Sequence, residues 1–158
     1  ALAAAIRAPA SALAVEGQAA VLRDMGRASE AGEVYRRWLS RRPDDHGARL
    51  DAVKLYDDLG RKDIALELAR GGVRADANSP DARLILGMAL QSAGDWRGGL
   101  AELRRSERLF TREADRGRVA LLIVEMRGQA PDSLREFFTA DSLAHLDVPA
   151  KAPAGGSR

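Results

Sequence analysis

The chain of 158 residues contains no cysteine. That removes disulfides, thiolate metal sites and cysteine nucleophiles, and it leaves the redox compartment open. Histidine is nearly as scarce: His46 and His145 stand far apart and no HExxH pair exists, so no zinc site is expected. The double glycines Gly71-Gly72 and Gly98-Gly99 belong to no GxxxxGK[ST] or GxGxxG pattern, so no phosphate loop is expected either. No run of 18 apolar residues occurs, which excludes a membrane-spanning helix. No Ser/His/Asp set has a motif around it. Asp44, Asp45 and His46 read as helix-capping residues rather than ligands, and Asp57-Asp58 as the exposed end of a helix. The chain is therefore expected to be no enzyme and to carry no cofactor or metal.

Net charge is also small. The 25 basic and 23 acidic residues leave +2, too little overall field to imply a nucleic-acid partner. The densest basic set, Arg104, Arg105, Arg108, Arg112, Arg116 and Arg118, is interleaved with Glu102, Glu107, Glu113 and Asp115. That is the spacing of ion pairs on a solvated helix, and it lacks the aromatics of a single-strand binder. Aromatics in total are only 4 % of the chain. Only Lys54, Lys62 and Lys151 are lysines; with the wealth of Ala and Gly, this arginine bias reads as a bacterial genome rich in G and C. The compartment stays open, a soluble chain being expected with the cytoplasm favoured over the periplasm.

What the chain does have is a period. Gly26, Gly60, Gly94 and Gly128 return every 34 residues. In the same register, small residues recur five places after each glycine (Ala31, Ala65, Gly99, Ser133) and apolar ones four places before it (Leu22, Tyr56, Leu90, Val124). Seven places before stand Ala19, Val53, Gly87 and Leu121, where two antiparallel helices would approach closely. Pro9 and Pro43 share one register position, seventeen residues before Gly26 and Gly60. The pattern resembles the tetratricopeptide repeat, a 34-residue helix–turn–helix unit, through Leu86-Gly87, Trp96, Leu103, Tyr35 and Pro43. It departs where Ala77 and Thr111 replace the closing proline, and no copy has the leading tryptophan.

The resemblance implies an all-α, right-handed α-solenoid of about four helix-turn-helix repeats. Residues 12–45, 46–79, 80–113 and 114–146 are expected to form them, with the last atypical. Residues 1–11 are expected to end a preceding repeat helix, so that the chain starts inside a longer protein. The opening ALAAAIRAPASALA carries Arg7 and lacks a basic start, which argues against a signal peptide. Residues 147–158, rich in Pro, Ala, Gly and Ser, are expected to be disordered. Within the repeats, Gly71-Gly72 is expected to bend or fray its helix, since each glycine costs about 1 kcal/mol there relative to Ala. Trp38 is expected to fill the gap beside the second repeat or to reach the surface.

The resemblance also implies a function: the first helix of each pair lines a concave groove that holds a peptide or helix of a partner protein. Transferred to this register, the groove residues are Leu50, Lys54, Leu84, Met88, Gln91, Arg118 and Leu122. The places where some relatives grip a C-terminal carboxylate hold Glu16, Ala20, Leu50, Asp51, Lys54, Leu84 and Ile85, which do not fit that clamp. Two other roles stay open: an accessory repeat domain of a longer enzyme or envelope or secretion protein, and a self-associating array.

Overall fold

The computed structural model describes residues 11–138, all of its regular structure helical. Eight α-helices follow in order: α1 (Ala12–Asp24), α2 (Ala28–Leu39), α3 (His46–Asp58), α4 (Lys62–Ala75), α5 (Pro80–Ser92), α6 (Trp96–Leu109), α7 (Glu113–Gln129) and α8 (Asp132–Arg135). A 3-10 turn (Glu136–Phe138) closes the described chain. Pro9, the segment before Ser11 and the tail after Phe138 lie outside the described residues.

Three glycines act as the period requires. Gly26, Gly60 and Gly94 hold φ of 74°, 71° and 89°, where a Cβ would clash with the backbone. Each helix then ends in the same pair of bonds. After α1, the Gly26 amide donates to Arg23 O and the Arg27 amide to Leu22 O; after α3 and α5, Gly60 with Arg61 and Gly94 with Asp95 repeat the arrangement. These bonds fix the turn into the second helix of each pair. The helix starts are capped in kind: the Ser11, Asp45, Ser79 and Asp95 side chains accept from Ala14, Ala48, Ala82 and Gly98 amides, and Pro80 stands in the first turn of α5.

Gly128 does not follow the other three. It lies inside α7, without positive φ, and the helix runs on to Gln129 before Ala130-Pro131 turns the chain. The fourth copy thus departs from the register. Val119, Ile123 and Met126 are its buried residues, whereas Leu121 and Val124, expected to be covered, are each 65 % exposed. The reason is a shift of register: Val119, Ile123 and Met126 repeat the spacing of Val15, Ala19 and Leu22 two places late, so Leu121 and Val124 fall where α1 carries the exposed Gly17 and Ala20.

The core divides into three clusters along the stack. Val15, Ala19, Leu22, Tyr35, Trp38 and Leu55 form the first, with α3 closing over α1 and α2. Tyr56, Ala69, Ile85 and Ala89 belong to the second, and Leu100, Leu103, Ile123, Met126 and Phe138 to the third. Each cluster draws on two consecutive pairs, so a pair buries its outer face only against its neighbour. Burial pushes the Tyr56 hydroxyl above the usual phenol range, and Glu33 adds to it.

The expected break at Gly71-Gly72 is absent. α4 is continuous from Lys62 to Ala75, and Gly72 is buried. A Cβ on Gly72 would stand 2.8 Å from both Cδ and Nε of Arg49. The glycine is a seat for that side chain, which is 3 % exposed and donates from Nη1 to Leu68 O (2.7 Å) and from Nη2 to Pro43 O (2.6 Å). Gly87 plays the matching part in α5, where a Cβ would meet Leu103 Cγ at 2.8 Å and Gly99 O at 3.0 Å. Trp38 fills the gap beside the second pair. It is 7 % exposed, and its Nε1 donates to Asp45 Oδ2 at 2.7 Å while Oδ1 caps α3.

Candidate functional site

The first helices of the pairs, α3, α5 and α7, lie side by side and leave two adjoining cavities between them. The one between α3 and α5 is narrow, about 70 Å³, and is lined by Leu50, Val53, Lys54 and Asp57 on one wall and Met88, Ala89 and Ser92 on the other. The one between α5 and α7 is larger, about 470 Å³, walled by Met88, Gln91, Leu122, Glu125 and Gln129, with Trp96, Leu103 and Met126 deeper in. Met88 faces both. Met88 and Ser92, four positions apart on one face of α5, both line the two cavities.

Polar groups frame this strip. Gln91 Nε2 donates to Gln129 Oε1 at 3.1 Å across the wider cavity, leaving Gln91 an acceptor and Gln129 donors at the rim. Ser92 Oγ donates to Asp57 Oδ1 at 2.5 Å, and Lys62 Nζ to Ser92 O, tying α5 to the α3–α4 turn. The site offers apolar depth with amide and charged edges. Among the described residues, no group of three or more His, Asp or Glu side chains comes together as a metal would need. His46 Nε2 instead lies 2.9 Å from Ser79 Oγ, at the start of α5.

Of the groove residues expected from sequence, Leu50, Lys54, Met88, Gln91 and Leu122 line these cavities. Leu84 and Arg118 do not. Leu84 is partly buried and packs against the third core cluster. Arg118 projects from α7 into solvent and pairs with Asp115. Other members of the basic set are likewise paired: Arg104 with Glu107 at 2.8 Å, and Arg105 with Glu102 at 2.5 Å. Sequence reasoning missed Ser92, Glu125 and Gln129. Gln129 lies beyond Gly128, the residue taken to end its helix, so the register itself hid it.

These features define an all-helical array of antiparallel helix pairs. Residues 22–87, from the end of α1 into α5, match the family described as tetratricopeptide repeat. A curated relative, cellulose synthase operon protein C of Xanthomonas axonopodis pv. citri, is 32 % identical over 82 residues, or 52 % of this chain. The chain spans only 5 % of that relative's length. Among solved structures, PcrH from Pseudomonas aeruginosa aligns with a TM-score of 0.57 at 18 % identity, covering 77 % of this chain and 98 % of that one. PcrH in complex with the chaperone binding region of PopD aligns at 0.55 and 16 % identity, covering 73 % and 90 %. At these identities the likeness is one of fold.

Proposed function

We propose that the chain is a non-enzymatic scaffold that binds a peptide or helix of a partner protein along α3, α5 and α7. The observation that carries this reading is the pair of adjoining cavities sharing Met88, apolar in depth and rimmed by Lys54, Gln91 and Gln129. Such a surface suits a segment inserting apolar side chains in sequence while its backbone meets polar edges. The structurally similar PcrH is known bound to a chaperone binding region of another protein, which supports the same mode here. On this reading nucleic acid is not the partner, because the basic residues of α6 are engaged with acids on the same helix.

The test is photocrosslinking in a lysate of the source organism, from a photoreactive residue at Gln91 and, as control, at Arg37, exposed on α2. A protein captured from position 91 alone, and lost in Met88→Glu, supports the groove. Equal capture from both positions refutes it.

A second reading is supported by the match to a much longer protein. There the repeats form the accessory region of a larger chain, and the segment bound in the groove belongs to the assembly that the larger chain serves.

A further inference from the structure

A separate cleft of about 550 Å³ lies between α2 and α4, on the side of the second helices, away from the groove proposed above. Its floor is apolar, from Leu39, Pro43, Ile64 and Leu68. Its charged rim is mostly self-neutralised: Arg36 pairs with Glu33, Asp63 with Arg61, and Glu67 with Arg74. Arg49 is the exception. It is buried, and its two hydrogen bonds go to carbonyl oxygens rather than to a carboxylate. Its Nε has no partner among the described residues. Burial and then the Arg74 charge hold this guanidinium below the usual arginine range. The Asp45 carboxylate offsets this only in part, and a further anion brought to the buried cation would lower the remaining cost.

The place for such an anion is the corner at Gly71. A methyl group on Gly71 would stand 3.2 Å from Arg49 Nη1 and 3.7 Å from Arg74 Nη2, so both guanidinium groups border the bare face of this residue. Two guanidinium groups thus converge on a spot of α4 that has no side chain, at the end of an apolar floor. We propose that this corner is a second binding site, in which Arg49 and Arg74 receive a carboxylate presented by a protein segment, with an apolar neighbour of that carboxylate on Leu39, Ile64 and Leu68. Arg74 is shared with Glu67 and swings on a flexible stem, whereas Arg49 is fixed by its two carbonyls. The fixed donor sets the position and the mobile one closes over it.

The experiment is an NMR titration of the full chain, following the Gly71 amide and the arginine Nε–H signals. The probes are N-acetyl-Leu-Glu-amide, its Leu-Gln analogue and sodium phosphate. Saturable shifts at Gly71, Arg49 and Arg74 are expected with the Glu peptide, at least tenfold weaker with the Gln peptide. Gly71→Ala should weaken them strongly, because its methyl crowds the approach to both guanidinium groups while every charge stays; Arg74→Gln should weaken binding several-fold and decides the matter if Gly71→Ala disturbs the fold. Equal binding of both peptides, unsaturated shifts shared by exposed arginines such as Arg61, or saturation by phosphate alone would each overturn the proposal.

Discussion

The side chain of Arg49 lies across Gly72, with Cδ and Nε each 2.8 Å from where a Cβ would be. Arginine and glycine come from successive helices and are 23 positions apart, yet each makes sense only with the other. Gly72→Ala is therefore expected to destabilise the fold by about 1–3 kcal/mol, the usual range for overpacking. That is the opposite of the gain an exposed helix glycine would give. Urea unfolding checks it, and Arg49→Ala in the same chain should reverse the sign of the Gly72→Ala effect.

Gly60→Ala and Gly128→Ala form a matched pair. The first places a Cβ at φ of 71° and should cost about 1 kcal/mol or more. The second sits within α7 with nothing within 4 Å of its added methyl, and should stabilise by up to about 1 kcal/mol. Thermal unfolding of the two variants distinguishes them by sign.

Asp45 serves two helices at once, accepting from Trp38 Nε1 and from the Ala48 amide. Asp45→Ala should cost about 2 kcal/mol, the sum of a lost cap and a buried indole donor left without its acceptor. Tryptophan fluorescence read alongside circular dichroism during unfolding would report both losses. Asp45→Asn, which retains the acceptor oxygen for one partner only, should fall between.

The two groove residues once taken as equivalent should behave differently. Leu84→Glu puts a charge into the third core cluster and should lower stability by more than about 2 kcal/mol. Met88→Glu places its carboxylate in open cavities and should leave helicity unchanged while weakening partner capture. Circular dichroism on both separates core from binding surface.

The first three copies were legible because each ends in a glycine whose φ only glycine adopts readily, and a 34-residue ruler needs no more than that. The ruler failed at Gly128, since the same letter there is only a helix residue and nothing local says so. It failed at Gly71-Gly72 for a different reason: what makes those glycines necessary is an arginine from α3. An arginine where the first copy carries Val15, followed in the next helix by paired glycines, was the signal available. In the groove, periodicity put Leu50, Met88 and Leu122 on one side, but it could not tell Leu84 on the same helix from a surface residue. That distinction depends on how far α6 and α7 wrap α5.

The connections between pairs change character along the chain. The first and second pairs are joined by a Trp38–Asp45 bond and by Arg49 reaching back to Pro43; the second and third by Ser79 with His46 and Ser92 with Asp57. Between the third pair and α7, Gln91 pairs with Gln129 over an apolar contact. Directional bonds resist sliding, whereas greasy contacts yield to it. A load applied along the stack would meet directional bonds at both of the first two junctions, so those three pairs would move together as one stiff rod.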